Sequence, residues 1–251
     1  MTLLKEKCEQ IRLNTKGIVA RYLNKRISLP ISRWVVTHTQ WKPNQVTYFN
    51  MLVGFSSGPI AALGTPVSLF IAALILQIAS ILDGVDGEVA KLTQTSSQWG
   101  QWLDTISDNG TLLSYLIGTT IGLYRLYPYS HVLSFAVVTF AVTIMIIATI
   151  LIFLRKETDS GSFVTYDQEF LKSLTPEEFP IVSRVVSVLK YMIKKDFYSF
   201  LFFIVALINK PMWVLYICSY GGGIACLFLA YINIIRWMDQ TLGEHSELEI
   251  G

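Results

Sequence analysis

Four aspartates lie at regular intervals in a part of the chain that is otherwise apolar. They are Asp83, Asp86, Asp104 and Asp108, and uncharged runs precede and follow them at 67–82 and 110–124. Burying such carboxylates together is costly, because desolvation and mutual repulsion both oppose it. A divalent cation removes this conflict, and hard oxygen ligands favour Mg²⁺, Mn²⁺ or Ca²⁺ over zinc or copper. The sequence therefore predicts a divalent-metal site, a kind of site that commonly also holds substrate phosphates.

Helical spacing brings the four aspartates to a common depth. If a turn at 93–98 joins two helices with Thr95 at its tip, Asp86 and Asp104 each lie nine residues from the tip, and Asp83 and Asp108 twelve and thirteen. A rise of about 1.5 Å per residue then places all four roughly 14–20 Å from the tip. Residues that recur every three or four positions share a helix face. These faces comprise Asp83, Asp86, Gly87 and Ala90 on the first helix, and Gly100, Asp104 and Asp108 on the second.

The composition of the whole chain is that of a membrane protein. Of its 251 residues, 52% are hydrophobic and only 15% are charged, and its mean hydropathy is +0.48. We predict an all-α polytopic membrane protein with six transmembrane helices, preceded by an N-terminal amphipathic interfacial helix. The predicted spans are 43–63, 66–92, 98–125, 131–155, 196–209 and 211–236.

These spans divide the chain into three parts. Residues 1–42 form a juxtamembrane segment, residues 43–237 the transmembrane catalytic domain with a loop at 156–195, and residues 238–251 a tail. In the first part, Ile27, Ile31, Trp34 and Val35 are predicted to share an apolar face beside several cations. This pattern favours an interfacial anchor over a substrate-binding role.

The distribution of cations predicts the orientation. If the N-terminus is cytoplasmic, Arg125 and Lys210 alone among the 20 Lys and Arg residues lie on the outer side. The excess of Lys and Arg in cytoplasmic segments selects this arrangement. We therefore predict a multi-pass cell-membrane protein with cytoplasmic termini and an acidic site that faces the cytoplasm.

The intervals between the residues of the acidic faces resemble a family signature. From Asp83 to Asp108 they read D-x2-D-G-x2-A-K-x8-G-x3-D-x3-D, which is similar to the signature of the CDP-alcohol phosphotransferase family. Lys91 stands where the family pattern has Arg, and the other seven fixed positions match. The resemblance covers most of the chain, from the entry to the first span at 43–47 through to the last span.

This resemblance implies a reaction and a role for each matching residue. Enzymes of the family transfer a phosphoryl-alcohol unit from a CDP-alcohol to an acceptor hydroxyl and release CMP. Asp83, Asp86 and Asp104 then correspond to metal ligands for two Mg²⁺ or Mn²⁺ ions, and Asp108 to a metal ligand that is also the general base. The implied CDP-binding residues are Asn44, Gly87, Ala90, Lys91 and Gly100. Lys91 presents a single ammonium where Arg presents a planar fork, so its contact with the diphosphate is expected to differ.

The acceptor site is predicted from basic residues at the ends of the polar loop. Arg155, Lys156 and Lys194 lie next to the membrane on the side of the acids and suit an anionic acceptor such as a phosphorylated polyol. The runs at 86–90 and 96–105 are similar to the family branches that make inositol-phosphate products. Glu88 lies roughly 200° around the helix from Asp86 and is expected either to support the metal ligands from behind or to pair with a nearby cation.

Other functions and partners stay open at this stage. The donor is CDP-diacylglycerol or a soluble CDP-polyol, and a phosphatidylglycerophosphate-type synthase is an alternative. A divalent-cation channel or transporter could use the same aspartates, although a pore has no need of Gly87, Ala90 and Gly100 at these intervals. The resemblance implies a homodimer in contact with membrane lipids, and we expect no nucleic-acid partner. The three cysteines form no metal or disulfide pattern.

Overall fold

A computed structural model describes residues 2–15, 17–128, 131–157 and 194–227, together with Ala230. These residues contain helices and no strand. We number the helices in chain order, with α2 preceded by one π-helical stretch at Ala20–Asn24. They are α1 (Thr2–Asn14), α2 (Lys25–His38), α3 (Pro43–Ala61), α4 (Pro66–Thr93), α5 (Gln98–Leu126), α6 (Val132–Glu157), α7 (Lys195–Leu207) and α8 (Trp213–Leu227).

The helices occupy the positions of the predicted spans, but length and composition support fewer crossings than six. In the part of the chain that is described, Pro66–Thr93 and Val132–Thr149 are long and apolar enough to cross a membrane. Of the remaining helices, α5 carries Asp104, Asp108 and Arg125, α7 has only 13 residues, and α8 is apolar but shorter than a full span. The six-span arrangement therefore stays a prediction. Most of the predicted 156–195 loop and the 238–251 tail lie outside the described residues.

Small residues bring α3 and α5 into close contact. A Cβ placed on Gly118 would lie 2.6 Å from the Cα of Gly58, and one on Gly54 would lie 2.7 Å from Cγ2 of Thr111. Both helices carry the Gly-x3-Gly spacing, at Gly54 and Gly58 and at Gly118 and Gly122. This spacing lets helix backbones approach one another in membrane proteins. Asp104 and Asp108 belong to α5. The packing of α5 on α3 therefore also determines where these two carboxylates lie.

The main core lies away from the acidic end of the bundle. Its buried apolar side chains come from all six helices α3 to α8, and include Leu76, Tyr115, Phe202 and Leu215. The Tyr115 and Phe202 rings stack with their centroids 5.8 Å apart. This core holds α7 against α4 and so fixes the N-terminal end of α7 beside the acids.

Helix α2 packs on α4 through a partly polar face. It buries Ser28, Leu29, Ser32 and Val35, and Val35 joins Val46, Val85 and Val89 in a second apolar cluster. The apolar face predicted from the sequence is divided by this packing: Val35 is buried, whereas Ile27 and Trp34 are exposed. The structure therefore attaches α2 to the bundle through its serines as well as its apolar residues.

Candidate functional site

A helical hairpin of α4 and α5 positions the acids. Helix α4 ends where Gln94 adopts a left-handed conformation, with φ of 56°. Ser97 caps the start of helix α5: its Oγ accepts a hydrogen bond of 3.0 Å from the amide of Gly100. The turn that the sequence predicted at 93–98 is confirmed by these two helix ends. The acidic faces of the two helices consequently meet at the same level.

Three of the four aspartates form a compact group. Asp83, Asp104 and Asp108 each contribute one carboxylate oxygen to this group, and the three oxygens lie within 4.8 Å of one another. Oδ1 of Asp104 is buried and has no hydrogen-bond partner among the described residues. Buried polar atoms are nearly always paired, so this oxygen indicates a missing partner. The donor set consists of hard carboxylate oxygens, and it therefore fits Mg²⁺ or Mn²⁺.

Asp86 has different surroundings from the other three. Only 5% of this residue is exposed. Its Oδ2 accepts a hydrogen bond of 2.6 Å from the Thr47 hydroxyl, and its Oδ1 accepts one of 2.5 Å from the Gly87 amide. The compact group identified above does not include it. Its assignment as a metal ligand stays a prediction, and Thr47 on α3 is the residue that holds its carboxylate in place.

Lys195 contacts the acids directly, a role that could not be read from the sequence. Its Nζ donates a hydrogen bond of 2.7 Å to Oδ1 of Asp83 and another to Oδ1 of Asp108. The Lys195 side chain is only 8% exposed. From the sequence, Lys195 belonged with Lys194 to the basic cluster at the end of the polar loop, which was predicted to bind an anionic acceptor. The buried ammonium offsets part of the negative charge of the acids.

The predicted nucleotide-binding residues lie along the same hairpin. A Cβ on Gly87 would meet no atom within 4 Å, whereas one on Gly100 would lie 3.1 Å from Oδ1 of Asn44. Asn44 at the start of α3 is thus brought beside Gly100. Ala90 is half-buried one turn beyond Gly87, and Lys91 is exposed. The open space at Gly87 is compatible with a ligand, and the nucleotide roles of these residues remain predictions.

A cavity of about 450 Å³ opens beside the acids. Asp83, Asp108, Lys194 and Lys195 line its polar part, and apolar residues of α5 to α8 line the rest. Lys194, predicted to bind the acceptor, therefore lies at this cavity. Arg155 and Lys156 belong to the last turn of α6, and the structure describes nothing of their side chains.

Comparison with known proteins gives a family match over most of the chain. A family model described as CDP-alcohol phosphatidyltransferase matches residues 40–220. The matched range begins just before α3 and ends within α8, so it includes all four aspartates and Lys195.

Individual relatives match a shorter stretch. Three similar proteins bear the name bifunctional IPC transferase and DIPP synthase. The one from Thermococcus kodakarensis is 41% identical over 108 residues, which is 42% of this chain and 24% of the relative. The one from Aquifex aeolicus is 35% identical over 100 residues, 40% of this chain and 22% of the relative. The one from Archaeoglobus fulgidus is 37% identical over 112 residues, 45% of this chain and 21% of the relative. The chain therefore spans about a quarter or less of the length of these relatives in the matched region.

Proposed function

We propose that the chain, which belongs to the CDP-alcohol phosphatidyltransferase family, is a CDP-alcohol phosphotransferase, and that the site described above performs the transfer. The observation that carries the proposal is the group of Asp83, Asp104 and Asp108 beside a cavity, with one buried oxygen of Asp104 unpartnered among the described residues. Paired carboxylates that need a cation suit a reaction in which a diphosphate must be bound and cleaved.

We assign the metal site to the four aspartates. Asp83, Asp104 and Asp108 would hold two Mg²⁺ or Mn²⁺ ions, and Asp86, held by Thr47, would complete the ligand set. When bound, the ions neutralise the diphosphate of the CDP-alcohol and stabilise the departing CMP. The role of the protein is to present these oxygens in a fixed arrangement, which the hairpin and the Thr47 hydrogen bond provide.

Asp108 is the proposed general base. Its carboxylate takes the proton of the acceptor hydroxyl while that oxygen forms a bond to the transferred phosphorus, and the bond from this phosphorus to the CMP oxygen breaks. Lys195 donates a hydrogen bond to Asp108 and keeps its carboxylate at the cavity. The nucleotide lies along Gly87, Ala90 and Gly100, with Asn44 and Lys91 in contact with it.

The acceptor is proposed to be a phosphorylated polyol of the inositol phosphate class. Support comes from Lys194 and Lys195 at the cavity and from the names of the relatives. Arg155 and Lys156 would complete the acceptor pocket. We further propose that the protein is a multi-pass homodimer of the cell membrane, with cytoplasmic termini and site, that acts in phospholipid or polar-headgroup biosynthesis.

The test is CMP release by the purified protein with Mg²⁺ or Mn²⁺. CDP-diacylglycerol and CDP-inositol are each offered with inositol, inositol 1-phosphate, glycerol 3-phosphate and serine as acceptors. We expect release that requires one donor together with one phosphorylated polyol, which also decides whether the donor is a lipid. Absence of release with every pair, in a protein that still binds Mn²⁺, would contradict the proposed acceptor class and favour cation transport.

A further inference from the structure

A buried carboxylate outside the aspartate group holds helix α2 in place. Glu88 on α4 is 1% exposed. Its Oε1 accepts hydrogen bonds of 2.6 Å from both Lys25 Nζ and the Ser28 hydroxyl, and its Oε2 accepts one of 2.5 Å from Ser32. All three donors lie on α2. The expected pairing of Glu88 with a cation is therefore confirmed, and the cation belongs to the segment interpreted from sequence as an interfacial anchor.

A second set of hydrogen bonds fixes the start of this segment. Asp196 at the start of α7 accepts a hydrogen bond of 3.0 Å from the Ala20 amide. The Asn24 amide group donates to the Ser80 hydroxyl at 3.3 Å and accepts from Gln77 at 3.2 Å. These contacts tie the π-helical stretch before α2 to α4 and α7. The segment is thus anchored on both sides of Lys25.

Gly84 allows α2 to approach at this position. A Cβ at Gly84 would lie 3.3 Å from Lys25 Nζ and 3.3 Å from the Ser28 Oγ, a closer contact than most Cβ atoms make. Gly84 directly follows Asp83 in the chain. The absence of a side chain at residue 84 therefore leaves room for the Lys25 ammonium against α4, at the residue that follows Asp83.

Lys25 also lines the cavity that Asp83 and Asp108 line. Its side chain is 16% exposed, so the ammonium is largely removed from bulk water but faces this space. An ammonium has three N–H donors, and the hydrogen bond to Glu88 uses one of them. A cation held in this way beside a cavity is suited to a phosphate oxygen.

We propose that Lys25 is a specificity-determining residue that binds a phosphate group of the substrate, and that Glu88, Ser28 and Ser32 position it. The identity of the ligand rests on the proposed function. Two substrate phosphates share this chemistry: the diphosphate of the CDP-alcohol and the phosphate of the acceptor. Helix α2 is accordingly a wall of the active site and not only an anchor at the membrane surface.

The test compares a charge-free pair with a matched surface variant. In Lys25→Met/Glu88→Gln both charges are removed together, so no unpaired buried carboxylate remains. Arg26→Met removes an exposed cation from the adjacent position of the same helix. Binding of CDP and of inositol 1-phosphate to detergent-purified protein with Mg²⁺ is measured by calorimetry, and thermal unfolding reports folding.

We expect the double variant to bind one of the two probes about tenfold more weakly or worse, the effect of losing one charged hydrogen bond. Arg26→Met should stay within about twofold of wild type, in keeping with a screened surface charge. Weaker CDP binding assigns Lys25 to the donor, and weaker inositol 1-phosphate binding assigns it to the acceptor. In the CMP-release assay the KM for that substrate rises while kcat changes little, and Lys25→Arg restores part of the affinity.

A folded double variant with wild-type affinity for both probes would show that Lys25 has a structural role alone. Failure of the wild-type protein to bind either probe would overturn the inference as well. If the double variant does not fold, Lys25→Gln, which can still donate to Glu88, takes its place with the same expected outcomes. Phosphate binding through Lys25 without CMP release would contradict the proposed reaction and leave this inference standing.

Discussion

The carboxylates of the site differ in their partners although they share a residue type. Asp83 and Asp108 accept from Lys195, Asp86 accepts from Thr47, and Asp104 retains a buried oxygen without a hydrogen-bond partner in the described part of the chain. A carboxylate paired with a lysine is partly neutralised, whereas the free oxygen of Asp104 is available to a cation. Among these residues, Asp104 therefore has the surroundings that most favour a bound cation.

Asp108→Asn tests the general-base assignment. The amide oxygen can still accept from Lys195 and contact a metal, but the amide cannot take a proton, so we expect turnover to fall by about 10²- to 10⁴-fold. Affinity for CDP and Mn²⁺, measured by calorimetry on the same preparation, should change much less. Turnover within a few-fold of wild type would remove Asp108 as the base.

Gly87→Ala tests whether the open space at this residue belongs to the nucleotide. The added methyl meets no protein atom within 4 Å, and alanine is the better helix former, so thermal stability should be kept or raised by up to about 1 kcal/mol. If cytidine packs there, CDP affinity should fall by roughly tenfold, because overpacking costs about 1–3 kcal/mol.

Gly223→Ala is the matched control for this prediction. Gly223 is also helical and also has open space at its Cβ position, but it belongs to α8 and not to the hairpin of α4 and α5. Its alanine variant should bind CDP like wild type. Equal CDP affinity in both alanine variants would mean that the nucleotide lies elsewhere on the hairpin.

Among the helices, the contact between α3 and α5 decides how the acids are presented. Thr47 and Asn44 belong to α3, whereas Gly100, Asp104 and Asp108 belong to α5. The close approach at Gly58 and Gly118 brings these two sets of residues together. The site therefore depends on helix packing several turns away from any reacting group.

Gly118→Ala is expected to lower both the stability of the protein and the affinity of the acidic site for a metal ion. The new methyl would lie 2.6 Å from the Cα of Gly58, and a backbone contact of this kind can be relieved only by separating the helices. Overpacking of this kind costs about 1–3 kcal/mol, to be measured as a lower midpoint of thermal unfolding in detergent. Mn²⁺ affinity should fall in the same variant, while Gly223→Ala keeps both properties. A Gly118→Ala protein with wild-type stability would show that α3 and α5 are less closely packed.

In the molecule as a whole, one cavity connects a polar end to apolar walls. Asp83, Asp108 and three lysines, Lys25, Lys194 and Lys195, surround the polar end, and the apolar walls come from α5 to α8. A substrate with a charged group and an apolar group can be accommodated by such a space. The orientation of this cavity in the membrane determines which compartment supplies the substrates.

Cysteine labelling tests the predicted orientation. In a background without Cys8, Cys218 and Cys226, Thr95→Cys reports the turn between α4 and α5, and Lys210→Cys reports the turn between α7 and α8; both positions are exposed. The distribution of Lys and Arg predicts that an impermeant maleimide labels Lys210→Cys in intact cells and Thr95→Cys only after permeabilisation. The opposite pattern would place the acidic site outside the cytoplasm.

The acidic hairpin could be predicted from sequence because helical periodicity is a local property. Intervals of three and four residues place Asp104 and Asp108 on one face, and the polar turn at 93–98 sets the two acidic faces opposite each other. The family signature depends on the same local intervals. The six membrane crossings could not be predicted from sequence as securely as the hairpin. Helices that pack on one another carry polar residues, so their composition differs from that of a lipid-exposed span.

Partners that are distant along the chain were decided by the tertiary structure alone. Lys195 reaches Asp108 across 87 residues, and Lys25 reaches Glu88 across 63. No local interval encodes such a pairing, since it depends on which helices pack side by side and how closely. Sequence by itself therefore determined that these carboxylates gather on one hairpin, and it predicts a divalent cation among them. The packing of α2 and α7 on α4 decided which lysines face those carboxylates, because packing alone brings distant cations to a buried charge.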